Sequence, residues 1–179
     1  CLPEVEDNRI KDSSEQMKKM GFNLIDCKQF RNNSNEYYDL ISRKKFSKNW
    51  SKEMKLNYLN SNLNLSLFAL ESGHVDSVVA GATYTTSDVL RSCLRIIGLK
   101  RNSKCVSSAF FMISEKSDKL YTFSDGGVIP EPTSEQLVEI AYESSVTHNL
   151  LTENNPKIAF LSFSTKGSAE HYKVKKIQK

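Results

Sequence analysis

The residues best suited to chemistry lie in two polar turns, each following an apolar run. The first is Thr83 to Ser87, rich in hydroxyls, with Arg91 one helical turn beyond it. Free amides at a helix start, the hydroxyls of Thr85, Thr86 and Ser87, and the Arg91 guanidinium together suit a phosphate. The same residues also suit a plainer role, in which Thr85 caps the helix and Arg91 is merely solvated. The second turn, Ser162 to Ser168, contains Ser164, Thr165, Lys166 and Gly167. Its polar, glycine-containing makeup is that of an anion-binding nest, with Lys166 as a point charge.

Other chemistries find less support. Neither GxxxxGK[ST] nor GxGxxG occurs, so triphosphate and dinucleotide binding lose their main motifs. No GxSxG elbow is present, and His148 and His171 lie on helical stretches, which argues against a nucleophilic hydrolase. Cys1, Cys27, Cys93 and Cys105 form no CxxC pair and have no histidine at metal-ligand spacing, so no metal site is expected. The basic tract Arg43, Lys44, Lys45 suits a solvated helix face or a phosphate contact. Glu4, Glu6 and Asp7 cluster where a helix begins and read as a complement to its dipole.

The elements that must position these residues follow from periodicity. Glu4 to Met20 is helical in composition and ends at Gly21; Phe22 to Ile25 reads as a short strand, and Glu36 to Ser72 is helical, interrupted at Asn60 to Asn64 and closed by Gly73. Val75, Val78, Val79 and Ala80 read as a buried strand, followed by a helix whose apolar face is Leu90, Cys93, Leu94 and Ile97. Thr85 caps that helix and Gly98 ends it. Cys105 to Ile113 and Leu120 to Phe123 form an antiparallel pair, and Thr133-x-x-Gln136 is a capping box opening a helix with Leu137, Ile140 and Ala141 inward. Lys157 to Phe163 reads as a strand, and the last helix starts near Tyr172. The alternation predicts an α/β fold with a mostly parallel sheet in two lobes, dividing near Leu99 to Lys104.

Composition agrees with a globular chain. The 179 residues are 39% hydrophobic and 26% charged, which excludes disorder and a coiled coil. No run approaches the roughly 20 apolar residues of a membrane span, and acidic residues stand where a signal peptide would be basic, so the chain reads as soluble and unexported. The net charge of +4 comes mostly from lysines spread along the whole sequence, which suits a solvated surface and not nucleic acid.

Several motifs, in order, resemble those of the phosphate acetyltransferase and butyryltransferase family. LPEVEDNR, Leu2 to Arg9, is similar to the family's opening L-P-E-x-x-D-x-R, and SRKKF, Ser42 to Phe46, to its basic segment. VDSVVAGATYTTSDVLRSCLRIIG, Val75 to Gly98, resembles its G-A-x-H-x-T-x-D-x-x-R block. FSDGGVIPEPTSEQLVEIAYES and KIAFLSFSTKGSA follow two further family patterns, the second, Lys157 to Ala169, being the most specific.

The resemblance implies reversible transfer of an acetyl group between coenzyme A and inorganic phosphate, without another cofactor. Acetyl-CoA, CoA, phosphate and acetyl phosphate would be its partners, in a cytoplasmic homodimer. The implied fold is a two-lobed αβα sandwich of the isocitrate/isopropylmalate dehydrogenase type, here with a first lobe over residues 1–102, shortened near 10–21, and a truncated second lobe over 103–179. Arg91 matches the family's site arginine, Arg43 the arginine of the basic segment, and Thr85 and Thr86 its hydroxyl turn. Tyr84 stands where the family usually has His, and Phe46 where it has Gly. Between Arg9 and Phe22 the family carries another strand and helix. The segments that supply its base Asp, its Ser and a second Arg lie beyond Ala169 and have no counterpart in these residues. A non-catalytic ligand-binding or regulatory module of the same family, or a phosphate butyryltransferase, is the alternative reading.

Overall fold

The computed structural model describes every residue except 118, 165–167 and 169. The chain divides into two compact units, Cys1–Gly98 and Leu99–Lys179. Together they are mixed α/β with a small antiparallel sheet.

The first unit is built from α1 (Asn8–Lys19), a 3-10 segment (Cys27–Asn33) running into α2 (Ser34–Arg43), a second 3-10 turn (Lys45–Ser47), α3 (Lys52–Leu59), α4 (Asn62–Glu71) and α5 (Thr86–Ile96). The sequence of α4, NLNLSLFALE, is apolar on nearly every side, and a helix apolar all round must be surrounded by protein. Leu63 through Ala69 are accordingly all buried, and α4 packs against α3, α5 and the Cys27–Asn33 segment. Of its two interior polar side chains, Ser66 donates to the Asn62 carbonyl (2.8 Å), while Asn64 donates to the Tyr58 carbonyl (2.9 Å) and leaves its buried Oδ1 without a partner among the described residues. Phe30, Tyr37, Ile41, Val75 and Ile96 close the core around it.

Glycines stop the helices as their spacing predicts. After α1, Gly21 takes φ +89°, its amide reaching Lys18 O while Phe22 N reaches Met17 O; Gly73 (φ +74°) ends α4 in the same way. Both are left-handed caps that only glycine adopts without strain.

Three strand expectations fail, for one reason. Phe22 to Ile25, Val75 to Ala80 and Lys157 to Phe163 form no strand among the described residues. Each is apolar, but a strand also needs a hydrogen-bonding neighbour, and nothing here offers a continuous one. Residues 75–80 make a single parallel-type rung, with the Cys1 amino group donating to Ser77 O (2.7 Å) and Val79 N to Cys1 O (3.1 Å). Val75 is buried, whereas Val79 is 60% exposed, so the continuous burial expected of a covered parallel strand is not found.

The face of α5 also needs correction. Leu94 and Ile97, expected inside, are exposed, and the residues turned to the core are Val89, Cys93 and Ile96. Both stripes are apolar at helical spacing, and contact with α4 selects the second.

In the second unit, β1 (Ala109–Ser114) pairs antiparallel with β2 (Lys119–Ser124), Phe110 facing Phe123 and Met112 facing Tyr121. α6 (Ser134–Thr152) follows, opened by the predicted capping box: Thr133 Oγ1 accepts from Gln136 N (3.2 Å) and Gln136 Oε1 from Thr133 N (2.9 Å). α7 (Tyr172–Gln178) packs on α6. The mostly parallel sheet of the sequence reading is replaced, among the described residues, by this hairpin. Among the described residues, no helix is long and apolar enough to cross a membrane.

Candidate anion site

The segment leading into α5 is held from both sides of its backbone. Glu4, 6% exposed, places its carboxylate against Gly81 to Tyr84. Oε2 accepts from the amides of Gly81 (2.9 Å) and Ala82 (3.0 Å); Oε1 accepts from the amides of Thr83 and Tyr84 (2.7 Å) and from the Thr83 hydroxyl (2.8 Å). Burial pushes this carboxyl up, but the backbone amides and the hydroxyl outweigh it and bring it down to about 2. Arg9 takes the other side, donating to the Ala82 carbonyl (2.8 Å) while its guanidinium is gripped by Asp7 at 2.8 and 3.0 Å. Asp7 also caps α1 by accepting from Arg9 N, and the Arg9 guanidinium holds its carboxyl down to about 2. The spacing of Glu4, Asp7 and Arg9 thus has a local meaning: one loop is clasped through its amides and through a carbonyl.

The acidic cluster therefore divides its work, where the sequence suggested one shared dipole role. Asp7 is the cap, Glu6 pairs with Lys28 at 2.5 Å, and Glu4 serves the distant loop. Glu4 is the residue that sequence reasoning missed. The available signal was the Gly-Ala-Thr run at 81–83, whose converging amides need an acceptor, together with a carboxylate fixed just after Pro3.

Beyond the loop, Thr85, Asp88 and Arg91 form one hydrogen-bonded chain on the first two turns of α5. Thr85 Oγ1 accepts from Asp88 N (3.2 Å) and donates to Asp88 Oδ2 (2.7 Å); Asp88 Oδ1 accepts from Arg91 Nη1 (3.1 Å). Spacings of three residues put all three side chains on one helix face. Arg91 is exposed, and its other guanidinium hydrogens have no partner among the described residues. The hydroxyls of Thr86 and Ser87, at the exposed start of the helix, are likewise unpartnered among the described residues. A cavity of about 380 Å³ is lined by Glu4, Glu6, Asp7 and Tyr84 among others. Three carboxylates make that cavity hostile to an anion.

The other predicted site residues stand apart. Arg43 is exposed on α2 and makes no ion pair among the described residues. Its neighbour Lys44 is the structural cation, donating to Glu71 and to the Ile96 carbonyl at the end of α5 (2.6 Å). Ser164 belongs to the second unit, with its hydroxyl 2.7 Å from that of Ser168. Thr165 and Lys166 lie outside the described residues. Tyr84 gives its amide to Glu4 and packs its ring against the core. Among the described residues no group of His, Cys, Asp or Glu is arranged to hold a metal ion.

Residues 2–179 match the family described as phosphate acetyl/butaryl transferase. The chain belongs to that family. A phosphate acetyltransferase of Clostridium acetobutylicum is 37% identical over 147 residues, covering 80% of this chain and 43% of the relative. One from Treponema pallidum is 34% identical over 159 residues, covering 84% of this chain and 47% of the relative. Among solved structures, the EutD phosphotransacetylase from Staphylococcus aureus superposes with a TM-score of 0.76 at 30% identity, covering 99% of this chain and 60% of that one. A phosphotransacetylase from Streptococcus pyogenes gives 0.79 at 24% identity, covering 98% and 60%, a likeness of fold. This phosphate acetyl/butyryl transferase family chain spans less than half the length of the two curated relatives described. Within it, the L-P-E-x-x-D-x-R segment is the clasp of the loop before α5, and the T-x-x-D-x-x-R spacing is the hydrogen-bonded chain on α5.

Proposed function

We propose that the protein acts as a phosphate acetyltransferase, moving an acetyl group reversibly between coenzyme A and inorganic phosphate. The observation that carries the reading is the Thr85–Asp88–Arg91 chain at the start of α5, in a sequence whose family match spans residues 2–179. A phosphate oxygen bonds to the acetyl carbon as the thioester C–S bond breaks. Sulfur leaves with the electron pair and takes the proton that phosphate gives up, yielding acetyl phosphate and CoA. In this reading Arg91 supplies the two-pronged cation for the phosphate, Thr86 and Ser87 supply donors, and Asp88 sets the angle of the guanidinium. Arg43 and the turn containing Ser164, Thr165 and Lys166 are assigned to the same substrates on the family resemblance.

The residues 1–102 and 103–179 are proposed as the two lobes of a dehydrogenase-type αβα sandwich, working as a cytoplasmic homodimer and needing CoA only as a substrate. The test is CoA release from acetyl-CoA on addition of phosphate, followed with a thiol reagent, beside calorimetric titration of phosphate. Arg91→Ala should weaken phosphate binding roughly tenfold to a hundredfold, the loss of one charge-assisted contact, and Arg91→Lys should recover only part. Phosphate binding without acetyl transfer would assign the chain to a non-catalytic ligand-binding module. Unchanged binding in Arg91→Ala would remove Arg91 from the site.

A further inference from the structure

We propose that Glu4 is an internal counter-anion: it fills the amide nest of Gly81 to Tyr84 and thereby positions the Thr85–Asp88–Arg91 group on α5. The part of this that concerns phosphate rests on the functional reading above; the part that concerns the position of Arg91 does not.

Four consecutive backbone amides that converge on one point form a concave donor site for a small anion. In this protein the donors of Gly81 to Tyr84 are already taken by a buried carboxylate from the chain itself. Two consequences follow. Phosphate is kept out of the nest, although the nest adjoins the proposed site, and must use the first turn of α5 instead. The backbone entering Thr85 is also fixed, because the amides of residues 81–84 are tied to one carboxylate and the Ala82 carbonyl to Arg9. Thr85 is the next residue, and through Asp88 it sets where the Arg91 guanidinium lies. Glu4 therefore acts through other residues and touches no substrate, which makes it a positioning residue.

The test compares the wild-type chain with Glu4→Ala and Glu4→Gln, using formate as a probe small enough to replace the missing carboxylate. The position of Arg91 is read from its side-chain Nε–H resonance, assigned by its loss in Arg91→Lys, and occupancy of the nest from the backbone amide resonances of 81–84. In Glu4→Ala the Arg91 signal and the four amides should shift, phosphate affinity should fall about tenfold, and formate should return all three toward wild type. In Glu4→Gln the nest stays filled by a neutral amide, so the signals should shift less and formate should have no effect. Folding of each variant is checked by the fluorescence of Trp50, the single tryptophan, which lies in the same unit. Should Glu4→Ala fail to fold, Glu4→Asp takes its place, since the shorter side chain cannot reach all four amides, and an unmoved Arg91 signal there overturns the proposal. An Arg91 signal unmoved in both variants, or a formate response equal in Ala and Gln, overturns it as well. If phosphate binds no form of the protein while the Arg91 signal still follows Glu4 and formate, the functional reading fails and the positioning role stands.

Discussion

Two carboxylates, Glu4 in the first unit and Asp125 in the second, each accept from a row of backbone amides, but they reach those amides by different routes. Glu4 crosses 77 residues of sequence to meet Gly81. Asp125 folds back on its own turn, accepting from Val128 (3.1 Å) and Ile129 (2.6 Å), and meets the Ser108 amide (2.8 Å) and hydroxyl (2.7 Å) across the hairpin. Both end in the same electrostatic state. Burial pushes each carboxyl up, the surrounding donors pull it down further, and each settles at about 2. The difference lies in what each holds together. Glu4 joins segments far apart in sequence, beside Arg9 and the Cys1 rung, so its loss removes tertiary contacts. Asp125 shapes a turn whose ends the β1–β2 ladder already brings close, so its loss loosens one loop.

The comparison is broken most directly by Glu4→Ala. Removing the buried acceptor leaves the amides of residues 81–84 without their partner, and the first unit should lose about 3 kcal/mol, read as a lower urea midpoint in Trp50 fluorescence. Asp125→Ala should cost less, about 1–2 kcal/mol, and show as faster hydrogen exchange at Val128 and Ile129 with the Trp50 transition unmoved. Gly126→Ala sharpens the point, because an added Cβ there collides with the Phe110 ring and should displace the same turn while leaving the carboxylate in place. Acid probes both carboxylates together. Each has a folded value below its unfolded one, so the stability it contributes is complete above the ordinary carboxylate range, falls as pH drops through about 4, and is gone below about 2. The urea midpoint of the first unit should fall between pH 5 and pH 2.5, and less steeply in Glu4→Gln. The smallest effect belongs to Arg95→Ala. This arginine lies 5.8 Å over the Phe46 ring, beside Trp50 and Tyr58, so its removal should cost about 0.5–1 kcal/mol and leave phosphate affinity alone.

Features that depend on a few neighbouring residues were legible in the sequence. Thr133 with Gln136, Thr85 before α5, the left-handed glycines 21 and 73, and the β1–β2 pairing are all decided within a few positions or across one turn. The strand expectations failed because an apolar run states what a segment would bury and not which neighbour will pair with it. Residues 157–163 are apolar and largely exposed, Leu161 at 76%. The face of α5 was ambiguous for a related reason, since two apolar stripes are available and only contact with α4 chooses between them. On α5, the sharing of one helix face by Thr85 and Arg91 was legible through helical spacing. Glu4 was not, because its partner is a loop far along the chain and its type is equally suited to a helix start.

The thinly covered hairpin of the second unit bears on the order in which the protein takes shape. Successive residues Phe110, Phe111, Met112 and Ile113 point alternately to the two sides of the ribbon, and all four are exposed. A two-stranded ribbon that α6 meets only along β2, as where Thr122 Oγ1 lies 2.8 Å from His148 Nδ1, is marginal in water. The first unit, by contrast, closes a core around α4 from its own residues and contains both halves of the Glu4 clasp. It should therefore become protected from hydrogen exchange early in refolding. Protection of β1 and β2 should come later and depend on protein concentration. Pulse-labelled exchange resolves the two; simultaneous protection, independent of concentration, would show that the hairpin needs no further cover to fold.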